Sequence, residues 1–510
     1  MLIISDILEL EKNLSTSKLD QKQIGLVPTM GALHKGHISL IQRAVQECDV
    51  VVVSIFVNPL QFAPDEDLAQ YPRSLEADCQ LCDKLGVEIV FAPSVTEIGI
   101  AGNTESQANT TTVIPPKSMT ARLCGKYRPG HFTGVATIVT KLFNIVQCDR
   151  AYFGQKDAQQ LAIIRRLVRD LNFPLEIVAC PIIREESGLA LSSRNQYLTP
   201  TEKSQAAILY DSLQQAAIAY RKGIKDAATL INLVEQKLAT TPFVKLQYLE
   251  LVEPETLQPI STVEKTGLLA IAAYLGKTRL IDNIILRQPI IAIDGPAGAG
   301  KSTVTRRVAQ ELGLLYLDTG AMYRAVTWLV MNAGIAIDDE LAIAQLIRGV
   351  KIDLIPPSAP ELPIAVYINH QEVTQAIRTP EVTRNVSAIS AQAAVRKELV
   401  KAQQNYGLTG GIIAEGRDIG TNVFPDAELK IFLTASAQER AKRRLQDLQN
   451  QGYQNINLQQ LEQEIIERDN QDSQRAIAPL KKADNAIEII TDHLSIEEVI
   501  NKIIELYSEL

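Results

Sequence analysis

The stretch IIAIDGPAGAGKSTVTRRVAQELG at 290–313 constrains the fold more than any other part of this chain. A β-branched apolar run leads into a glycine-rich loop, and a helical segment with Val304, Val308 and Leu312 on one face leads out. The loop fits G-x-x-x-x-G-K-[ST] through Gly295, Gly300, Lys301 and Ser302. A backbone that wraps phosphates with inward N–H groups needs glycine's freedom and a helix N-terminus behind it. The pattern therefore demands a strand–loop–helix unit of an α/β sheet. Gly295, Pro296, Ala297, Gly298, Ala299, Gly300, Lys301, Ser302 and Thr303 form the expected ATP loop. Lys301 would reach the β- and γ-phosphates, and Ser302 would ligand Mg²⁺ held by them.

The first half repeats the same kind of unit. Residues 24–28 and DVVVVSIFVNP (49–59) are apolar without polar alternation, as in strands covered on both faces of a parallel sheet. Helical patterns at 38–47, 71–85, 132–146 and 158–171 alternate with strands near 87–92, 151–153 and 175–180. Residues 103–112, polar and threonine-rich, read as loop. This predicts a Rossmann-like α/β domain over 1–186. After SSRNQYLTP the texture changes. Helices at 201–222 and 227–239 precede alternating strands in KLQYLELVEPETL and GLLAIAAYLGKTRLIDNIIL, a small α+β domain over 187–286. A turn, Arg287-Gln288-Pro289, would then lead to a P-loop domain over 289–510.

Composition narrows the class. A net charge of −8 and a pI near 5.4 speak against a broad nucleic-acid-binding surface. Apolar runs such as 50–57 are too short for a bilayer, and the acidic start MLIISDILELEKN lacks a signal-peptide n-region. A cytoplasmic enzyme with no nucleic-acid or membrane partner is the expectation. All six cysteines lie within the first 180 residues, and a lone C-x-x-C (Cys79, Cys82) reads as two small residues on an amphipathic helix.

Two of the five histidines stand three apart in PTMGALHKGH (28–37). A zinc pair of the H-E-x-x-H type needs i, i+4 spacing and a glutamate, whereas Lys35 and Gly36 intervene here. A core role fits poorly in a glycine-punctuated loop. A strand, a turn and a helix start place both imidazoles and free N–H groups beside phosphates, where they would stabilise charge on an α-phosphate. LSSRNQYL (191–198) could grip the other side of a triphosphate, and YFGQKD places Lys156 and Asp157 just after a strand. The logic is adenylyl transfer: activate a carboxylate with ATP, expel pyrophosphate, pass the acyl group to an amine.

Downstream of the P-loop, DTGAMYRA, EGRDIGTNVFPDA, ERAKRR and RDNQDSQRAIAPL resemble cytidylate kinases over nearly all of 289–510. The resemblance implies phosphorylation of CMP or dCMP by ATP. It assigns the monophosphate to Arg324, Arg396 and Arg417, the cytosine to Ser387, Arg396 and Glu415, and Thr319 to the ribose end. Glu415 stands where some members have Asp, and either accepts from an exocyclic amine. Arg443, Arg468, Asp472 and Arg475 would belong to a lid over ATP.

Residues 24–286 resemble pantothenate synthetases (pantoate–β-alanine ligases) through PTMGALHKGH, VSIFVNPLQF, YPRSLEAD, RPGHFTGVATIV, YFGQKD, GLALSSRN and TRLIDN. The resemblance implies that ATP and pantoate give pantoyl adenylate and pyrophosphate, that β-alanine then displaces AMP, and that the small domain over 187–286 acts as a lid. Met30, Gly31, Ala32, Leu33, His34, Lys35, Gly36, His37, Gly154, Gln155, Lys156, Asp157, Ile183, Leu191, Ser192, Ser193 and Arg194 would line ATP. Gln155 stands where Glu is common. Gln61 and Gln160 would hold pantoate, with Gln61 also bordering the β-alanine site, and Asn58, Arg128 and His131 would flank the crevice. His37 is the family's assigned proton donor, His34 and Lys156 bind phosphate, and Arg194 completes the ligase's catalytic set, as Lys301 does the kinase's. Mg²⁺ with ATP is the only cofactor implied, with no tightly bound organic group. The ligase family tends to dimerise, which implies a homodimer through that half. Two other readings stay open on the sequence: a nucleotide-binding regulatory half, and an aminoacyl-tRNA synthetase, against which the acidic chain speaks.

Overall fold

The structure is a computed structural model that describes all residues except 63–67, 69–70, 101–109, 356–363, 451–456 and 476. Most of the expected loop at 103–112 lies outside the described residues. The chain divides into two compact units, Met1–Leu286 and Arg287–Leu510.

The first unit is built on a parallel sheet of β1 (Leu2–Ile4), β2 (Ile24–Thr29), β3 (Val50–Ile55), β4 (Ile89–Phe91), β5 (Arg150–Gly154) and β6 (Glu176–Cys180), in the order β1-β4-β3-β2-β5-β6. β3 is central, and Val50 to Val53 are all buried, each worth about 1.5–3 kcal/mol of apolar burial. The chain winds outward from β2 through β3 to β4, then returns to place β5 on the other side of β2. Such a reversal opens a crevice beyond the carboxyl ends of β2 and β5. PTMGALHKGH leaves β2 and GQKD leaves β5, so both motifs lie at that crevice. The helix expected at 71–85 is Leu75–Lys84. Pro72 disfavours helical backbone at Tyr71, which delays the start.

A three-stranded antiparallel sheet, β7 (Val244–Val252), β8 (Gly267–Leu275) and β9 (Thr278–Leu286), completes this unit. Its core includes Leu213, Val234, Leu269 and Ile271, with helices Ile208–Arg221 and Ala227–Leu238 laid over it. The single helix expected over 201–222 is two pieces, Pro200–Ala206 and Ile208–Arg221.

The second unit has a parallel sheet of β10 (Gln288–Asp294), β11 (Leu315–Asp318), β15 (Gly410–Gly416), β16 (Leu429–Thr434) and β17 (Ile487–Ile490), ordered β11-β15-β10-β16-β17. A small antiparallel sheet, β12 (Ile352–Ile355), β13 (Ala365–Ile368) and β14 (Gln371–Glu372), forms an insert. The expected turn Arg287-Gln288-Pro289 is not a turn: Gln288 already pairs with Gly410, and Pro289 is inside β10. β16 pairs with β10 only from Ile291 onward, so on that side Pro289's missing N–H costs no ladder bond.

Candidate active sites

In the first unit the PTMGALHKGH loop turns sharply at Gly31, whose φ is +81°, and a Cβ there would lie 3.1 Å from Asp78 Oδ2. Asp78 sits in helix Leu75–Lys84 at 4% exposure and accepts from the N–H groups of Ala32 and Leu33, both at 2.9 Å. Ser74 Oγ supports the same carboxylate at 3.1 Å. His34 is the N-cap of helix Lys35–Glu47, its Nδ1 accepting from Gly36 N–H at 3.1 Å, and His37 Nδ1 faces the N–H of His34 at 3.4 Å. The rings lie 4.2 Å apart. With both Nδ1 atoms facing backbone donors, each neutral ring presents Nε2–H outward. Burial, then the neighbouring His34, push His37 down to about 3; burial and Lys156 also lower His34. Both imidazoles are thus neutral donors.

The facing walls come from three segments. The turn Gln155–Asp157 carries Lys156 and Asp157, which act electrostatically on both histidines. Ile183 C=O accepts from Leu191 N–H at 2.9 Å, closing the base of a loop that ends in the turn Ser193–Tyr197. Ser192 Oγ caps that turn at Arg194 N–H, 3.3 Å away. Lys156, Asp157, Gln160, Ser192, Arg194, Arg128 and His131 line one cleft. Asn58 and Gln61 sit beside it. Asn58 donates to Gly134 C=O (3.1 Å) and Gln61 Oε1 (3.3 Å), while Gln61 C=O takes His131 Nδ1 at 2.8 Å. Gln61's amide reaches Met30 of the first loop. Cys79 and Cys82 are buried in the core, and burial pushes Cys82 up to about 12.

In the second unit the P-loop joins β10 to helix Lys301–Leu312. Gly295 has φ +150°, and a Cβ there would lie 1.9 Å from Leu433 C=O, so no other residue fits. Lys301 Nζ donates to the carbonyls of Gly295 (2.8 Å) and Pro296 (2.7 Å), rather than pointing past the loop. Burial and the Arg417 guanidinium push its ammonium below the usual range. Asp294 accepts from Ile419 and Gly420 N–H, both at 2.7 Å, and burial raises it to about 6.

The remaining expected residues have the following partners. The carboxylate paired with buried Arg396 is Asp418, not Glu415. Glu415 takes the Tyr316 hydroxyl at 2.6 Å, its C=O takes Thr319 Oγ1 at 2.7 Å, and Lys301 and Ser302 lie beside it. Residues three apart at a strand end, across a tight turn, need not share a face. Burial and Asp318 raise Glu415. Ser387 is half-buried on the helix that ends at Ala391, one turn from Ser390, whose C=O takes Arg396 at 3.3 Å. Arg324 pairs with Asp318 at 3.2 Å. Arg417 and Arg475 both hold Asp472, Arg468 lies near the same carboxylate, and Arg444 lies near Arg468. Arg443 does not join them. It bonds Thr491 C=O at 2.8 Å and Oγ1 at 3.1 Å, because one helical step turns it about 100° from Arg444.

The family model for pantoate-beta-alanine ligase matches residues 2–285, and that for cytidylate kinase matches 291–509. A bifunctional pantoate ligase/cytidylate kinase of Trichormus variabilis is 61% identical over 491 residues, 96% of this chain and 92% of that protein. The chain belongs to the bifunctional pantoate ligase/cytidylate kinase family. A Synechocystis protein of the same description is 60% identical, over 96% of this chain and 95% of its own. Among solved structures, the pantothenate synthetase of Thermus thermophilus is 44% identical with a TM-score of 0.52, over 56% of this chain and 100% of its own.

Asp78 was legible only as one of two acids in the first turn of its helix. In the ligase unit it fixes the loop that presents both histidines. Asp78→Ala orphans two amides, at about 1–3 kcal/mol each, and the loop loses its set. The expected result is a drop of about tenfold to a hundredfold in kcat/KM for ATP in adenylate formation, read as pantoate-dependent pyrophosphate release. Among the described residues no cluster of three His, Cys, Asp or Glu side chains could hold a metal, and no helix is long and apolar enough to cross a membrane.

Proposed function

We propose that the ligase unit makes pantothenate by two displacements in the crevice between β2 and β5. A pantoate carboxylate oxygen attacks the α-phosphorus of ATP, and the bond to pyrophosphate breaks. The β-alanine amine then attacks the acyl carbon, AMP leaves, and the amine loses a proton. The observation that carries this reading is that Lys156 and Asp157, which line one cleft with Ser192 and Arg194, also act electrostatically on His34 and His37. His34 and His37 donate from Nε2, Lys156 and Arg194 neutralise the leaving phosphates, and Gln61 and Gln160 hold pantoate. Held near 3, His37 stays neutral between about pH 5 and 8 in the free enzyme. The kcat/KM profile for adenylation is therefore expected to show no step near 6.5, the ordinary value of a histidine. Because the folded value lies below the unfolded one, His37's contribution to stability is complete above about 6.5 and is lost as pH falls toward 3. A step in adenylation rate at pH 6–7 that vanishes in His37→Asn would count against a neutral donor.

The kinase unit transfers the γ-phosphoryl group of ATP to the phosphate of CMP or dCMP. The P-loop amides and Lys301 would hold the donor. Arg324, Arg417 and Arg475 would hold the acceptor phosphate, and Arg444 and Arg468 the lid side. The Ser302 hydroxyl and Glu415 carboxylate form a hard-oxygen pair that suits Mg²⁺ carried on the triphosphate. When bound, that ion would offset charge on the phosphate oxygens. A cytosine edge would be read by Arg396 and Asp418, a reading supported by the pairing of that buried guanidinium with Asp418. Asp418→Ala is expected to cut kcat/KM for CMP about a hundredfold, since it strands a buried guanidinium, with KM for ATP nearly unchanged. Equal losses for both substrates in steady-state assays would refute the assignment.

A further inference from the structure

Two walls of the ligase crevice meet on one dipeptide of the small antiparallel sheet. Asp282 and Asn283 lie in β9, at 4% and 5% exposure. Asn283 Nδ2 donates to the carbonyls of Gln155 (3.0 Å) and Lys156 (2.9 Å). A primary amide has two donor hydrogens, and here both go to consecutive carbonyls of the turn that carries Lys156. Asp282 grips Arg184 with both oxygens, at 2.6 and 2.9 Å, and Arg184 also donates to Gly188 C=O at 3.0 Å. Arg184 pairs with Ala190 across the loop that ends in Ser192 and Arg194. Asn283 N–H donates to Asp282 Oδ1 at 2.8 Å, tying the two holds together.

We propose that Asn283 is a positioning residue for adenylate formation: it sets the Gln155–Asp157 turn so that Lys156 faces the His34–His37 loop, and Asp282 locks it to the stem of the Ser192–Arg194 loop. The seating of the small sheet and the placing of Lys156 are thereby tied together. This rests on the reading that Lys156 acts on the triphosphate. A buried amide that merely filled space would satisfy scattered acceptors. Both donors of this one are aimed at the turn beside a phosphate-binding side chain, and a misplacement near 1 Å there costs about a hundredfold.

The test separates the half-reactions in the full-length chain. Asn283→Asp puts a carboxylate against the two carbonyls. It is expected to lower kcat of pantoate-dependent ATP–pyrophosphate exchange about a hundredfold. Aminolysis of supplied pantoyl adenylate by β-alanine, which needs no triphosphate, should stay within about threefold of wild type, as the effect is local. In a chain already carrying Lys156→Ala, adding Asn283→Asp should cost less than about threefold more, because the two act as a unit. If Asn283→Asp melts early, Asn283→Ser, which cannot span both carbonyls, is read in its place. Unchanged exchange, equal loss of both half-reactions, or a full penalty in the Lys156→Ala background would each overturn the proposal alone. An unimpaired Lys156→Ala single variant would overturn the reading of Lys156, and the proposal with it.

Discussion

Replacing His37 with alanine is expected to stop pantothenate formation, with kcat for adenylation down about a thousandfold, while CMP phosphorylation stays at the wild-type rate. The size follows from how the ring is held. His37 Nδ1 faces the His34 N–H, so the outward Nε2–H needs no reorganisation when charge builds on the phosphate. A preorganised neutral donor in a water-poor crevice is worth far more than the same bond in water. Burial keeps the ring uncharged, so what alanine removes is a directed hydrogen bond and not a positive charge. His37→Asn, which keeps a neutral donor at a shorter reach, should therefore recover part of the lost rate, whereas a charge-based role would make asparagine no better than alanine. Pantothenate, AMP and CDP measured in the same reaction mixture give both rates from one preparation. Loss of CDP formation in His37→Ala would contradict two separate sites.

How much of this was legible in the sequence depends on the range of the interaction. The strands were, because β-branched runs such as Val50–Val53 carry their own signal. Both phosphate loops were, since glycines at fixed offsets between a strand and a helix have few other uses. What escaped were groups whose partner is remote in sequence. Asp78 gains its meaning only from amides 45 and 46 positions away. Asn283 holds carbonyls 127 and 128 positions away. That Asp418 lies beside Arg396 while Glu415 meets Tyr316 turns on which way a chain leaves a strand end, and composition is blind to that. Arg443 and Arg444 are alike as residues. Only the rotation of their helix sends one to Thr491 and the other toward Arg468.

Lys301→Ala is expected to do the reverse of His37→Ala: CMP phosphorylation falls about a thousandfold and pantothenate formation is untouched. Lys301 is 7% exposed, with its ammonium bonded to two carbonyls of its own loop and Arg417, Glu415, Asp294 and Asp472 around it. To meet a triphosphate it has only to exchange those carbonyls for phosphate oxygens, without leaving its burial. The same residue also restrains the acids near it. Asp294, already raised to about 6 by burial, is held down in part by Lys301. An Asp raised above its unfolded value of 3.8 contributes stability that is full at lower pH and is lost as pH rises through about 6. Removing the ammonium moves that loss to higher pH. Lys301→Met, which keeps the packing, should therefore leave the kinase unit relatively more stable near pH 5 than near pH 7.5, by more than in the wild type. Calorimetric unfolding at the two pH values reads this directly, and an unchanged pH dependence would mean that Lys301 and Asp294 are not linked. A catalytic group that only touched ATP would shift the rate alone. One that also restrains the buried carboxylate behind the loop must shift both the rate and the pH dependence of unfolding.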